Sequence, residues 1–250
     1  MNPMSQISPS DVHVGGLPAP AEARTLEAVL ARLLPLPSSA LFVGRAEDGL
    51  PVLLNLRDPS PSPILIAADA GAGKTRLLKT IARGIQLVHD PERVRYAVVT
   101  AHPQEWSGFE NSSHCDAILG FHHALTTGYV HGAALCDQSA GPRCSLVLML
   151  DGLEALASDA DLRDASQALL RQPPPLGVMP LVTLNTSAAP VASSWLDVFR
   201  TRLYGYIRDS RIGTELTCAP ASLTSDLQPP CQFLAREEIA WLRFWLPDIE

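Results

Sequence analysis

The sequence predicts an α/β domain with a mostly parallel central sheet flanked by helices, and three observations predict it. A short apolar run, Ile64-Leu65-Ile66-Ala67, leads into a glycine-rich loop and then into a helical pattern. A second run, Cys144-Ser145-Leu146-Val147-Leu148-Met149-Leu150, is unbroken and ends in Asp151. Two more segments of strand length, Arg95–Thr100 and Met179–Asn185, alternate with helical stretches. Unbroken rather than alternating apolarity means that both faces of a strand are covered, as at the centre of a parallel sheet.

Along the chain, residues 1–20 are rich in Pro, Ser and Gly and read as a disordered N-terminal segment. Residues 21–38 form one amphipathic helical segment, in which Leu26, Val29, Leu30, Leu33 and Leu34 recur at helical spacing before Pro35 and Pro37. Its place is the outside of the domain; docking a partner is the alternative. Residues 39–250 make one further domain. Ala40–Val43 and Pro51–Leu56 flank Asp48-Gly49, a hairpin signal, and a proline-broken linker follows at 58–63.

Strand 64–67 precedes a helix expected from Lys74 to Val88, and it is expected to lie beside strand 146–150. Residues 101–115 read as loop, Asp116–Leu119 as a short strand, and His122–Cys136 as a helix weakened by Gly128 and Gly132. A helix is expected over Asp161–Leu170, a short one over Trp195–Phe199, a strand over Thr201–Ile207, and a closing hairpin from Cys231–Ala235 and Ala240–Leu246. The aromatic residues of that hairpin read as core.

The loop Ala68-Asp69-Ala70-Gly71-Ala72-Gly73-Lys74-Thr75 carries the chemistry. Gly71 and Gly73 allow backbone angles that aim successive N–H groups at a phosphate, and the helix that follows adds its positive end. Lys74 can reach the outer phosphates and the Thr75 hydroxyl can ligate Mg²⁺. Strand, glycine-rich loop, Lys-Thr and helix together are the phosphate-binding P-loop, or Walker A motif, with Ala68 where the pattern has its first glycine. Lysine occurs only at 74 and 79 in a chain that otherwise uses arginine, as expected where a point charge on a flexible stem is wanted. Asp151, at the end of its strand, is the matching Walker B acid that holds Mg²⁺ or its water. The expected nucleotide contacts are Asp69, Ala70, Gly71, Ala72, Gly73, Lys74, Thr75 and Arg76. The expected metal ligands are Thr75 and Asp151, with ATP and Mg²⁺ as the groups bound.

Composition narrows the setting. With 46% apolar residues among 250, a sizeable core is available. No apolar run approaches the ~18–20 residues of a membrane span, and the N-terminus lacks the pattern of a secretory signal, so the expectation is a cytoplasmic protein without membrane insertion. Cys115, Cys136, Cys144, Cys218 and Cys231 form no CxxC pair and read as thiols rather than disulfides or zinc ligands. His114, His122, His123 and His131 match no metal-ligand spacing. The formal charge of −7 argues against a protein that coats nucleic acid non-specifically.

The order of hairpin, P-loop, acid-ended strand, polar-ended strand, arginine-bearing strand and terminal hairpin resembles the FtsK/SpoIIIE and HerA group of DNA-pumping ATPases over residues 40–246. The resemblance is carried by Val43-Gly44-Arg45, Asp48-Gly49-Leu50-Pro51-Val52, the strand into the loop, and Thr201-Arg202-Leu203. It implies a RecA-like core, ATP with Mg²⁺, assembly into a homo-oligomeric ring and a double-stranded DNA substrate. It also implies an arginine that completes a neighbour's site, with Arg202 first and Arg200 or Arg211 next; a surface arginine is the alternative.

The chain departs from that group where its members follow the strand-end Asp with a Glu that orients the attacking water. Gly152 stands there, and the nearest acid is Glu154. A helical turn after Asp151 would put Asp151 and Glu154 on one face; otherwise Glu154 caps or solvates the following segment. Asn185 either senses the terminal phosphate and orients water, or is a strand-end turn residue. The second departure is Thr100-Ala101-His102-Pro103, where the group has a lysine-bearing Asp-Pro-Lys segment. The expected activity is therefore ATP binding with weak or slow hydrolysis. Phe42-Val43-Gly44-Arg45 and Asp151-Gly152-Leu153-Glu154 are also similar to the NACHT and NB-ARC signalling NTPases. That likeness implies a nucleotide switch, and a non-hydrolysing nucleotide-binding scaffold is the further alternative.

Overall fold

The computed structural model describes residues 24–58, 62–135, 144–171, 177–237 and 240–249. The N-terminal segment 1–20, Pro59–Pro61 of the linker, Cys136 and the loop 172–176 lie outside the described residues.

One ten-stranded sheet organises them, in the order β2-β1-β10-β9-β8-β3-β7-β6-β4-β5. The strands are β1 (Ala40–Ala46), β2 (Pro51–Asn55), β3 (Ile64–Ala68), β4 (Val94–Thr100), β5 (Cys115–Gly120), β6 (Ser145–Asp151), β7 (Val178–Asn185), β8 (Thr201–Tyr204), β9 (Gln232–Glu237) and β10 (Ala240–Trp245). From β8 to β5 all pairings are parallel. The predicted hairpins β1–β2 and β9–β10 join each other and β8 antiparallel, forming a wing.

The helices are α1 (Leu26–Leu33), α2 (Lys74–Val88), α3 (Thr126–Ala134), α4 (Leu153–Ser158), α5 (Ala160–Arg171), α6 (Ala189–Ala192), α7 (Ser210–Thr217) and α8 (Ser222–Ser225). Period-two alternation along the central strands builds two cores. Ile64 and Ile66 face Leu77, Leu78, Ile81 and Ile85 of α2. Leu65 and Ala67 face the side covered by α4, α5 and α7. Every residue of β3 is buried, as the unbroken apolar run required. Helix α1, capped by the Thr25 hydroxyl, packs Leu26, Val29 and Leu30 with Phe42 in a small third cluster.

Several details differ from the sequence expectations or decide between them. Strand β7 lies between β3 and β6, so β3 and β6 are not neighbours. Buried parallel strands look alike in sequence, and strand order follows from how crossovers pack rather than from local pattern. Strand β8 stops at Tyr204 instead of Ile207, because Gly205 passes tightly against the loop after β3. Helix α4 begins directly after Gly152, the helical turn that one of the two readings of Glu154 required. Residues 101–115 are not all loop, since Pro103–Trp106 forms a 3-10 turn that buries Trp106.

The hairpin aromatics are core as expected: Phe233 and Phe244 are fully buried and stacked with ring centroids 5.8 Å apart. Among the described cysteines all are free thiols; Cys115, Cys144 and Cys231 are half-buried and Cys218 is exposed. Among the described residues no helix is long and apolar enough to cross a membrane.

Two glycines test this packing with opposite signs. A Cβ on Gly205 would lie 2.8 Å from the Ala68 Cβ and 3.0 Å from Phe233 Cε1, whereas one on Gly128, in α3, would meet nothing. Gly205→Ala is expected to lower unfolding stability by about 1–3 kcal/mol through overpacking. Gly128→Ala is expected to raise it by about 0.5–1 kcal/mol through helix propensity. Urea denaturation midpoints at constant slope measure both; a neutral Gly205→Ala would contradict the tight passage.

Candidate nucleotide site

The site lies at the carboxyl edge of the parallel strands, where ligands bind in open α/β sheets. After β3 the loop runs through Gly71 at φ 74° and Gly73 at φ 96°, both left-handed. Gly73 is also the N-cap of α2. A side chain there would be strained and would collide with the Pro230 carbonyl, which presses on the loop from the segment before β9. The loop is therefore bare backbone at Gly73, where no side chain would fit.

The Lys74 ammonium donates to the carbonyl oxygens of Ala68 at 2.9 Å and Asp69 at 2.8 Å, curling back over its own loop. Burial lowers its pKa, and the charges of Glu154, Asp151 and Asp69 oppose that shift. Three carboxylates thus act on one half-buried cation. The Thr75 hydroxyl donates to Asp151 Oδ2 at 3.0 Å, and the Thr183 hydroxyl donates to Asp151 Oδ1 at 2.7 Å. The two motifs that the sequence placed 76 residues apart meet in a direct hydrogen bond. A hydroxyl beside an oriented carboxylate is a donor set suited to Mg²⁺, which takes few protein ligands and keeps its waters and phosphate oxygens.

Gly152 takes φ 137° and turns the chain sharply into α4. Glu154, in the first turn of that helix, comes back to the strand ends, where its Oε2 accepts from the Asn185 amide at 3.4 Å. The structure thus brings together Lys74, Thr75, Asp151, Glu154 and Asn185.

It does not bring Arg76 and Arg202 with them. The Arg76 guanidinium donates to Asp248 Oδ1 at 2.6 Å and to the Pro247 carbonyl at 3.3 Å, leaving only its backbone in the first turn of α2. Arg202 donates to the carbonyls of Leu196 at 2.7 Å and Phe199 at 3.3 Å. With Arg200 and Arg236 it lines a separate cleft of about 390 Å³. Arg211 is exposed in the first turn of α7.

Sequence reasoning missed the supports of the loop. Asp69 accepts from the Thr186 hydroxyl and, at 2.9 Å, from the Arg208 amide. Its own amide donates to the Tyr206 carbonyl at 3.0 Å. The polar run Thr183-Leu184-Asn185-Thr186 at the end of β7 was the one available signal. An open cleft of about 720 Å³ lies against the loop, lined among others by Asp69, Gly71, Asn185, Tyr206, Arg208 and Pro229. His122 and His123 are exposed and border a different, mostly apolar cleft, and the His114 ring pairs with the His89 carbonyl at 2.9 Å. Among the described residues no group of three or more His, Cys, Asp or Glu could hold a metal.

No family model matches the sequence, and no curated protein matches it by sequence. Solved structures do match. The cytoplasmic domain of the Thermomonospora curvata type VII secretion ATPase EccC is 18% identical with a TM-score of 0.72, over 90% of this chain and 32% of that one. The cytoplasmic domain of EssC is 16% identical with a TM-score of 0.66, over 93% of this chain and 48% of that one. The pCW3 conjugation coupling protein TcpA, in its monomer form with ATPγS, is 15% identical with a TM-score of 0.67, over 87% of this chain and 68% of that one. This chain spans about a third of the EccC chain and about half of the EssC chain. Its fold is that of the FtsK/SpoIIIE-type ATPase domains, RecA-like and built around a P-loop, carried here by a strongly divergent sequence.

Proposed function

We infer that this chain binds ATP with Mg²⁺ at Asp69–Arg76 and hydrolyses it slowly. The observation that carries the reading is the direct bond between Thr75 and Asp151 beside the cradle that ends at Lys74. Lys74 would leave the Ala68 and Asp69 carbonyls for the outer phosphates. The amides of 71–75 would hold the phosphate chain, and Thr75 and Asp151 would hold Mg²⁺, which neutralises charge developing on the phosphates. Glu154 is the group placed to orient a water and take its proton, with Asn185 beside it. Two features support slow turnover: Gly152 brings no carboxylate, and Glu154 reaches the strand ends through the α4 turn, already accepting from the Asn185 amide.

A nucleotide switch that binds ATP without turnover is the second reading, favoured by the same Gly152 turn. Ring assembly, with Arg202 acting on a neighbour's nucleotide, and action on double-stranded DNA are part of the proposal. They rest on the resemblance carried by the hairpin before the loop and by Thr201-Arg202-Leu203, together with the shared fold.

Lys74→Ala is expected to weaken ATP binding about 10- to 100-fold, since charge-assisted bonds to phosphate contribute roughly 1.5–3 kcal/mol each. Calorimetry reads this, and equal affinities would sink the proposal. Glu154→Gln is expected to abolish steady-state hydrolysis while ATP still binds, and duplex DNA should stimulate the wild type alone. Turnover that survives Glu154→Gln would place the base elsewhere, and tight binding without turnover in either protein would select the switch. Light scattering should show ATP-dependent assembly at high protein concentration; a monomer that persists would remove the ring and the role of Arg202.

A further inference from the structure

Asp69 sets an electrostatic problem. It brings a carboxylate into a loop whose purpose is to receive a polyanion. Its two oxygens are held by the Thr186 hydroxyl and the Arg208 amide, so it is fixed beside the site and cannot swing away. A cation is needed to offset it, and Lys74, Arg76 and Arg202 are each engaged as described. Arg208 is the one Lys or Arg among the residues that line the cleft against the loop. Its side chain is exposed, and among the described residues no side chain or carbonyl holds its guanidinium.

Its root is rigid. The Gly205 amide donates to the Ala67 carbonyl at 3.0 Å, and the Tyr206 carbonyl accepts from Asp69. The Arg208 amide donates to Asp69, and Asp209 caps α7 by accepting from the amides of Arg211 and Ile212. Residues 205–209 are thus stitched along the leading half of the phosphate loop.

The side from which Arg208 approaches identifies what it meets. Along the carboxyl edge the order is Asp151 on β6, Thr183 and Asn185 on β7, Asp69 after β3, and Arg208 after β8. Thr75 and Asp151 define the metal side. Asn185 and Arg208 line one cleft with Asp69 and Gly71, so a terminal phosphate directed over the strand ends would lie between them. Arg208 reaches that region from the opposite flank of the loop.

We propose that Arg208 contacts the terminal phosphate of a nucleoside triphosphate bound in its own chain and so distinguishes triphosphate from diphosphate, with Asp69 as the residue that positions it. This rests on the nucleotide-site reading above. An arginine fork matches a phosphate by two parallel bonds, which a lysine at this position would not reproduce.

The test is calorimetric titration of wild type, R208Q and R208K with a non-hydrolysable ATP analogue and with ADP, all with Mg²⁺. The expected result is a loss of about 10- to 100-fold for the analogue in R208Q, partial recovery in R208K, and ADP affinity unchanged within about twofold. The bond to Asp69 comes from the Arg208 backbone, so the substitutions leave the loop support intact, and unchanged urea midpoints check this. Equal losses for both ligands, or no loss for either, overturn the role of Arg208 while leaving the nucleotide site in place. A wild type that binds neither ligand overturns the site reading and this inference with it.

Discussion

A loop that aims most of its amides at an anion has few left to hold itself, here the Ala72 amide on the Asp69 carbonyl at 3.2 Å, so its shape must be imposed largely from outside. Much of this molecule can be understood from that constraint. Asp69 ties the loop to the ends of β7 and β8 through Thr186 and the Arg208 amide. Gly205 lies close enough to Ala68 and to the Ala72 carbonyl that no side chain fits there, and the Pro230 carbonyl presses on Gly73. Elements far apart in sequence thereby converge on eight loop residues. The antiparallel wing takes part in this support, because β9 follows Pro230 directly and pairs with β8. The terminal hairpin is in this sense a buttress of the loop, and its stacked Phe233 and Phe244 anchor it in the core under α2.

The same constraint explains what was legible in the sequence. Glycine torsions, a lysine at a helix start and an acid ending a buried strand are local signals, so the loop, α2, β6 and the meeting of Thr75 with Asp151 could be read directly. The insertion of β7 between β3 and β6 could not. Each of these strands is an unbroken apolar run, and their order is decided by crossover packing over the whole chain. Apart from the polar residues ending β7, the outer supports gave little signal, since an Asp in a glycine-rich loop, a Thr after a strand and an Arg before a helix are ordinary in isolation. Arg202 was singled out by its resemblance to a motif and Arg208 was not, although only Arg208 lines the cleft against the loop.

The segment after Asp151 shows one backbone torsion altering the chemistry available to a site. An acid immediately after Asp151 would need the torsions of residue 152, and that residue sits at φ 137° and ψ 82°, a conformation that residues with a Cβ rarely adopt. Glycine therefore displaces the acid, and the turn it permits starts α4 at once. One helical turn later Glu154 regains the strand-end edge. The carboxylate survives near the site, but on a short helix whose inner face, Leu153, Leu156 and Ala157, is committed to the core. Its freedom to follow a reacting group is correspondingly small.

The two arginine-lined clefts divide the cationic chemistry of the chain. Arg202 stands in register with Leu65, three residues before the end of β3, a separation of about 10 Å along a strand. Carbonyls of Leu196 and Phe199 hold its guanidinium on the face away from α2, next to Arg200 and Arg236. Held there, it lies outside the cleft against its own phosphate loop, so the action on a nucleotide proposed for Arg202 would take place in a second copy of the chain. Arg208 stands beyond the end of β8 in the cleft against the loop, and the role proposed for it requires none. An arginine that acts within the chain and one that acts between chains respond differently to protein concentration. The sheet separates them by placing one at the carboxyl edge and the other below it.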